Sequence, residues 1–322
     1  MTDIPAPTDR AIPGLCGPIP RLVLGSFNLT DERPDAGFSV LDAFVERGGR
    51  LVDTALVYTG GAAERLIGLW LRARPVAARE VLVLTKGAHP DEAWHSRLTP
   101  EAIATDIAAS LGRLGMETVD AWLAHRDDEA VPVGEIVDAL DALVRTGQAR
   151  TVGVSNWRLP RLREATAWAA ANDRAPIVVS SSYLGLAAAV EVPWPGCQSA
   201  RDDETLAWHA ASGLPLLAWS SQASGFFAPA FDPATANPDV VSTYLSEANL
   251  ARRARATELG ARRGWDAAQV ALAWVLSEPS APFAAFGVRD PAGIDRAWVA
   301  LETPLTPGER AWLDTGDGGA TA

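Results

Sequence analysis

The sequence predicts a single α/β domain of the (β/α)8 TIM-barrel class. Short apolar segments alternate with amphipathic stretches along the chain, as expected for parallel strands joined by helical crossovers. A barrel of about 250 residues with insertions fits the length of 322 residues. We therefore assign residues 1–322 to one domain, with its core over about 19–313. The strand segments are Arg21–Leu24, Arg50–Asp53, Val81–Thr85, Val119–Ala124, Thr151–Val154, Ile177–Ser180, Leu214–Trp219 and Pro282–Phe286.

The presence of eight strand and helix units in one domain favours a closed barrel over an open sheet. Each segment is apolar and often β-branched, which is typical of parallel strands buried on both faces. A doubly wound dinucleotide-binding sheet needs a GxGxxG segment after its first strand. Here the first strand runs into Leu24-Gly25-Ser26-Phe27, which does not fit that pattern.

Helical signals fill the intervals between the strands. Thr99–Leu114 begins with a threonine and a proline and repeats apolar residues on one stripe. The same periodicity occurs over Gly134–Thr146, and Asp266–Leu276 begins with a capping aspartate.

Two connections are too long to be plain loops. Leu186–Arg201 follows the sixth strand and Ser220–Ser246 follows the seventh. Because both leave the carboxyl ends of barrel strands, we expect them to form substrate and cofactor walls. The first 15 or so residues and the tail after Asp314 are expected to be loosely ordered.

The charge and the composition exclude several classes of partner. A formal net charge of −12 disfavours nucleic acid and anionic membranes. The chain lacks an apolar run of about 18 residues, and its N-terminal segment has no apolar signal-peptide core. Cys16 and Cys197 are interpreted as separate thiols in a reducing compartment, and no metal-binding motif is present. We expect a cytoplasmic protein.

Polar residues at the ends of strands two, three and four are the candidate catalytic group. Asp53 ends the second strand and Tyr58 follows it, while Lys86 and His125 come directly after the third and the fourth strand. Each residue alone is typical of a structural role, such as a turn cap, a packing tyrosine, a solvated lysine or a core histidine. Together they converge on one barrel mouth, which favours a shared function.

This combination suits the reduction of a carbonyl group. The reaction needs a proton donor, and a tyrosine with an ordinary pKa of about 10 can act if an ammonium group lowers that value. We expect Lys86 to do so for Tyr58, with Asp53 as the counter-charge of the lysine. A neutral His125 can orient the carbonyl oxygen.

These residues lie in motifs that resemble those of the aldo-keto reductase family. The motifs read DTALVYTGGAAERLIG, LVLTKG, DAWLAHRDD and TVGVSNW, and the resemblance extends over about Ile19 to Leu313. It implies that Asp53, Tyr58, Lys86 and His125 form the catalytic tetrad. The implied function is that of an oxidoreductase that reversibly transfers hydride between NAD(P)H and an aldehyde or ketone, with Tyr58 as general acid and base.

The resemblance also implies residues that hold the nicotinamide. Ser155 and Asn156 match the family's contacts to the carboxamide group, and Ser181 occupies a third position that is usually glutamine. Trp219 replaces the aromatic residue that stacks on the nicotinamide ring, and a tryptophan can provide such a stack.

Further along the chain, the family pattern reaches the phosphates of the cofactor. Ser220, Gln222 and Gly225 match the segment around the pyrophosphate. Arg289 is the candidate for the adenosine 2′-phosphate, although the adjacent Asp290 would repel that group. The resemblance implies NADP(H) as the slightly preferred cofactor over NAD(H).

Two alternative functions are compatible with the same residues. A nucleotide-binding regulator or scaffold with negligible turnover would keep the fold, and a Schiff-base aldolase would use Lys86 as its nucleophile. His89 and His209 are interpreted as surface or capping residues. The expected partner is a small-molecule carbonyl substrate, without nucleic acid or membrane, and assembly into a homo-oligomer is compatible with the sequence.

Overall fold

All eight expected strands are present in the computed structural model, which describes residues 8–317. The strands form a closed barrel in the order β8-β1-β2-β3-β4-β5-β6-β7, which confirms the predicted (β/α)8 class. They are β1 (Leu22–Gly25), β2 (Leu51–Asp53), β3 (Leu82–Gly87), β4 (Val119–Ala124), β5 (Ala149–Ser155), β6 (Ile177–Tyr183), β7 (Leu216–Trp219) and β8 (Phe283–Phe286).

Helices follow the strands as the periodicity predicts. Thr99 accepts a hydrogen bond from the backbone N–H of Ala102 at 3.2 Å, which caps the predicted helix, and Asp266 and Gln269 form a reciprocal capping box. The helices are α1 (Pro34–Glu46), α2 (Ala62–Ala73), α3 (Pro100–Leu114), α4 (Val133–Arg145), α5 (Leu159–Ala171), α6 (Asp203–Ser212), α7 (Pro238–Tyr244), α8 (Glu247–Arg263), α9 (Ala267–Leu276), α10 (Ala292–Glu302) and α11 (Pro307–Thr315).

Internal packing divides the chain into two compact units. One unit, called here the N-terminal unit, comprises residues 9–181 and 287–294. The other, called here the C-terminal unit, comprises residues 182–286 and the described residues from 295 onward, together with Thr8. The assignment of one domain to the whole chain stays a prediction.

Parallel strands from β1 to β6 are the framework of the N-terminal unit. Asp53 on β2 lies opposite Leu84 on β3, and Lys86 on β3 lies opposite Leu123 on β4. All residues of β3 and β4 are buried, as expected for strands covered on both faces. On α3 the side chains of Ile103, Ile107 and Leu114 are buried, and each contributes about 1.5–3 kcal/mol of burial free energy.

The expectation of a loosely ordered N-terminus was wrong for the described residues. Asp9–Arg10 and Ile19–Pro20 form a two-stranded antiparallel ribbon. The ribbon is ordered because Ile12 and Ile19 are both buried. At the other terminus α11 continues to Thr315, whereas residues 1–7 and 318–322 lie outside the described residues.

Both long insertions belong to the C-terminal unit and are held by polar side chains. Buried Asn249 accepts from the N–H of Ala188 at 2.9 Å and donates to its carbonyl at 2.7 Å. Arg253 donates to the carbonyl oxygens of Phe226 and Ala228 at 3.0 and 3.1 Å. These bonds fix the course of both insertions, and the second insertion also contains α7.

Neither a membrane-spanning helix nor a metal-binding cluster occurs in residues 8–317. No helix in this range is long and apolar enough to cross a membrane. No group of three or more His, Cys, Asp or Glu residues in the same range could hold a metal ion. Cys16 is exposed, Cys197 is buried, and both are free thiols.

Candidate active site

Three of the predicted catalytic residues are joined by one buried ammonium group. Lys86 Nζ lies 2.5 Å from Asp53 Oδ1, 3.0 Å from the carbonyl oxygen of Thr54 and 3.2 Å from Tyr58 Oη. Lys86 and Asp53 are only 2% and 4% exposed, so both charges are removed from water. An ammonium group has three donors, and each of these donors has an acceptor here.

The environment keeps Lys86 charged. Burial alone lowers the pKa of the lysine, but the charge of Asp53 and the hydrogen bonds of Asp53 and Tyr58 outweigh burial and raise it. Burial raises the pKa of Asp53, and the Lys86 ammonium opposes that shift. The pair is therefore an ion pair that places a positive charge beside the phenol.

The expectation that Lys86 lowers the pKa of Tyr58 below its ordinary value was wrong. The Tyr58 ring is partly exposed, but its hydroxyl points to the buried ammonium group. Burial raises the pKa of Tyr58, and Lys86 only reduces this shift. Since desolvation of the phenolate has the larger effect, Tyr58 is a protonated phenol at neutral pH.

A backbone turn after β2 places Tyr58 beside the end of β3. The N–H of Leu56 donates to the carbonyl of Lys86 at 2.9 Å, and the N–H of Tyr58 donates to the carbonyl of Ala55 at 3.0 Å. Thr59, Gly60 and Gly61 then have φ values of 47°, 61° and 86°, in the left-handed region. Residues 55–61 are called the Tyr58 turn below.

His125 is buried beside this group. Its ring lies 5.8 Å from the Tyr58 ring in an edge-to-face arrangement. Burial lowers the pKa of His125 well below its ordinary range, and the charges of Arg126 and Lys86 lower it further. The imidazole is therefore neutral, and its Nδ1 has no hydrogen-bond partner within residues 8–317. A neutral imidazole can orient a substrate oxygen through a ring nitrogen.

His89 is a site residue that the sequence interpretation missed. It was interpreted as a surface or capping residue, yet its ring is half-buried and lies 5.0 Å from the ring of His125. Trp94 packs on His89 at 5.6 Å, and Phe27 lies 5.2 Å from Tyr58. The sequence did contain a signal for this role, because His89 is the second residue after the end of β3. His209 was also interpreted as a surface or capping residue, and it is buried, with Nδ1 2.8 Å from the carbonyl oxygen of Leu214 just beyond the end of α6.

A carboxylate on α3 anchors the loop that carries His89 and Trp94. Buried Asp106 accepts from the N–H of Ala88 at 2.7 Å. It also accepts from both terminal nitrogens of Arg97, at 2.5 and 3.0 Å. Residues 88–98 are therefore a loop whose two ends are tied to one side chain.

The three residues predicted to hold the nicotinamide carboxamide lie together in the N-terminal unit. Ser155 on β5 pairs with Ser181 on β6, and the N–H of Asn156 donates to the carbonyl of Ser181 at 2.7 Å. Asn156 Nδ2 donates to Ser155 Oγ at 2.9 Å and to the carbonyl oxygen of His125 at 3.4 Å. The buried Ser181 Oγ has no partner among the described residues, so this group fits a ligand with amide donors and acceptors.

Trp219 and the predicted pyrophosphate residues belong to the C-terminal unit. Trp219 is half-buried and lies 5.3 Å from the ring of Tyr183 and 6.5 Å from that of Trp194. In the segment that follows, Ser220 Oγ lies 3.3 Å from Ser224 Oγ, Gln222 Nε2 donates to the carbonyl of Ala268 at 3.4 Å, and Gly225 has a φ of 95° with open space where a Cβ would be.

Arg289 precedes α10 in the N-terminal unit and is exposed. The adjacent Asp290 carboxylate accepts a hydrogen bond from the N–H of Gly293 at 3.0 Å. The backbone N–H groups at the start of α10 therefore stabilise the negative charge of Asp290.

The structure is therefore a closed barrel in which Asp53, Tyr58, Lys86 and His125 lie close together. A model of the Aldo/keto reductase family matches residues 21–315. The chain belongs to the aldo/keto reductase family, which confirms the resemblance and makes the protein an oxidoreductase of carbonyl compounds.

Individual relatives are similar over most of the chain. Versiconal hemiacetal acetate reductase of Aspergillus parasiticus is 28% identical over 83% of this chain and 82% of its own. A probable voltage-gated potassium channel subunit beta of Oryza sativa subsp. japonica is 29% identical over 75% of this chain and 74% of its own. An aldo/keto reductase structure from Klebsiella pneumoniae, in complex with NADP and acetate, has a TM-score of 0.71 at 22% identity, covering 92% of this chain and 91% of that one.

Proposed function

We propose that the protein catalyses the reversible NAD(P)H-dependent reduction of an aldehyde or ketone, with Tyr58 as general acid and base. The contact of Tyr58 Oη with the buried Lys86 ammonium, at 3.2 Å, is the observation that carries this proposal. A phenol beside a fixed positive charge can release a proton and be stabilised as phenolate.

Each residue of the tetrad has a distinct role in this proposal. In the reductive direction Tyr58 donates its proton to the carbonyl oxygen, and Lys86 stabilises the phenolate that remains. Asp53 holds Lys86 in place and balances its charge. The neutral His125 orients the carbonyl oxygen relative to the phenol.

The cofactor supplies the hydride when it is bound. Ser155, Asn156 and Ser181 would hold its carboxamide, and Trp219 would stack on its ring.

The segment carrying Ser220, Gln222 and Gly225 would surround the pyrophosphate, with the open space at Gly225 allowing close approach. We propose that the protein prefers NADP(H) to NAD(H), because the exposed Arg289 can bind the 2′-phosphate. The adjacent Asp290 carboxylate accepts a hydrogen bond from the N–H of Gly293 at the start of α10. The Klebsiella relative was solved with NADP.

Turnover and cofactor binding together test the proposal. Wild-type protein and the Tyr58→Phe variant are mixed with NADPH or NADH and a panel of aldehydes and ketones. Tryptophan fluorescence quenching measures cofactor binding. Cofactor oxidation that requires the Tyr58 hydroxyl supports the proposal, whereas cofactor binding without oxidation would instead favour a nucleotide-binding regulator with negligible turnover.

A Schiff-base aldolase is not supported, because it requires a neutral lysine amine. The raised pKa of Lys86 and its three hydrogen bonds keep this group as an ammonium ion. Two free cysteines suit a reducing compartment, and we propose the cytoplasm as the location of the protein.

A further inference from the structure

A glutamate on α2 and an arginine on α3 connect the Tyr58 turn to β3. We propose that Glu64 and Arg113 are positioning residues that set the distance between Tyr58 Oη and Lys86 Nζ. This inference rests on the proposed function, because it assigns a role within the same reaction. Neither residue touches the reacting groups, so both act through the turn and the strand that they hold.

Arg113 fixes the Tyr58 turn from the side of α3. Its Nη1 donates to the carbonyl oxygen of Leu56 at 2.7 Å. The N–H of Leu56 donates to the carbonyl oxygen of Lys86 at 2.9 Å. Leu56 is therefore held between the Arg113 side chain and the backbone of Lys86. Since Tyr58 follows two residues later, these bonds restrict where its phenol can lie.

Glu64 connects Arg113 to the strand that carries Lys86. Its side chain is fully buried, and Oε1 accepts from Thr85 Oγ1 at 2.7 Å while Oε2 lies 3.3 Å from Arg113 Nη1. Thr85 is the residue before Lys86 on β3. A carboxylate at this depth requires a partner of opposite charge, and Arg113 provides it. The network thus joins α3, α2 and β3 around the phenol and the ammonium group.

Gly61 shows how closely Arg113 approaches the end of the same turn. A Cβ built on Gly61 would lie 2.4 Å from Arg113 Nη1 and 2.5 Å from its Cζ. The guanidinium therefore occupies the space that any larger residue would need. Arg113 contacts the turn near both of its ends, at Leu56 and at Gly61.

Arg72 offers a matched control for Arg113. Both arginines line one surface groove of about 470 Å³ between α2 and α3. Arg72 reaches over Gly115, where its Nη1 lies 2.6 Å from the position of an added Cβ, whereas Arg113 reaches inward to Leu56. Replacement of Arg72 removes the same charge from the same groove but leaves the turn intact.

The experiment compares Arg113→Met, Arg113→Lys, Thr85→Val and Arg72→Met in the full-length protein. The chain has three tyrosines, so [13Cζ]tyrosine labelling gives three signals, and Tyr58→Phe assigns the relevant one. The Tyr58 signal reports the position of the phenol without any need for turnover. The rates kcat and KM and the dissociation constant of NADPH are measured in parallel.

We expect the Tyr58 signal to move in Arg113→Met and Thr85→Val while the other two tyrosine signals stay in place. We expect kcat to fall about 10- to 100-fold in Arg113→Met, the scale of a displacement of roughly one ångström in a catalytic group. KM and cofactor binding should change little, Arg113→Lys should restore part of kcat, and Arg72→Met should resemble wild type.

Two results would overturn the inference. One is an unchanged Tyr58 signal with unchanged kcat in both Arg113→Met and Thr85→Val. The other is an equal effect of Arg72→Met, which would indicate a general charge effect. If wild-type protein has no turnover, the proposed function fails, but the Tyr58 signal still decides whether Arg113 sets the position of the phenol. If Arg113→Met does not fold, Thr85→Val gives the same decision.

Discussion

The imidazole rings of His89 and His125 lie edge to face, with their centroids 5.0 Å apart. His89 comes from the loop of residues 88–98, whereas His125 follows the end of β4. The contact places a second titratable ring beside the one that we propose to orient the substrate. The protonation of His125 therefore depends on a loop that lies outside the family motifs.

We predict that the reductive kcat/KM shows no acidic limb near the ordinary histidine pKa of about 6.5. Burial lowers the pKa of His125 well below that value, so the ring stays neutral as the pH falls through it. In His89→Glu a carboxylate would raise the pKa of His125, and an acidic limb should then appear. His95→Glu, on the same loop but exposed, is the control. A pH–rate profile and histidine NMR measure both effects, and an acidic limb in wild type that follows His125 would contradict the prediction.

The two directions of the reaction should differ in their dependence on pH. In the proposed mechanism Tyr58 donates a proton in reduction and accepts one in oxidation. Because burial raises its pKa, the phenol stays protonated through about pH 10, the ordinary tyrosine value. We expect reduction to keep its rate up to this pH and oxidation to accelerate with rising pH. Tyr58→Phe should lower both rates about 100- to 10,000-fold. A reductive rate that falls already near neutral pH through ionisation of Tyr58 would contradict this account.

Removal of Lys86 alone should destabilise the protein strongly. Lys86→Met leaves the Asp53 carboxylate buried without a counter-charge, which typically costs about 3–5 kcal/mol in the free energy of unfolding. The double variant Asp53→Asn with Lys86→Met removes both charges and should recover part of that loss. Urea unfolding of wild type, both single variants and the double variant measures the coupling. Additive effects of the two substitutions would show that the pair does not act as a unit.

Two adjacent glycines of the Tyr58 turn should respond differently to alanine. Gly60 has a φ of 61° and nothing within 4 Å of an added Cβ, so Gly60→Ala costs only backbone strain of about 1 kcal/mol. Gly61 has a φ of 86°, and its Cβ would also collide with Arg113. We expect Gly61→Ala to lose more stability and more kcat than Gly60→Ala. Thermal unfolding and turnover measure this, and equal losses would argue against a tight contact.

Arg289 should determine the preference between the two cofactors. If Arg289 holds the 2′-phosphate, Arg289→Ala removes a charge-assisted hydrogen bond worth about 1.5–3 kcal/mol. The dissociation constant of NADPH should then rise about 10-fold or more, while that of NADH stays the same. Fluorescence titration with both cofactors gives the comparison. If Arg289→Ala weakened the binding of NADPH and NADH equally, or left both unchanged, Arg289 would not be part of the proposed site.

The fold and the group around Lys86 could both be predicted from the strand segments and the polar residues at their ends. Short apolar strands fix the barrel, and parallel strands bring their carboxyl ends to one rim. Asp53, Lys86 and His125 each lie at or directly after such an end, so convergence follows from topology alone. The capping signals of α3 and α9 are local and were predicted for the same reason.

Features set by distant contacts could not be predicted. The pKa of Tyr58 depends on the depth of its hydroxyl, which the sequence does not show, so the influence of Lys86 was overestimated. His89 is positioned by a loop that has no periodicity and is held by Asp106. Glu64 and Arg113 are 49 residues apart, and no local pattern links them. The ribbon at Asp9–Arg10 depends on the burial of Ile12, which lies in a segment rich in proline.

Asp106 on α3 holds the loop of residues 88–98 near both of its ends. Ala88 and Arg97 both bond to Asp106 on α3, and Arg97 also donates to the carbonyl oxygen of His89 at 3.4 Å. Substitutions between Ala88 and Arg97 therefore change the side chains beside His125, while Lys86 keeps its place on β3. Libraries confined to this segment offer a way to change substrate choice without rebuilding the barrel.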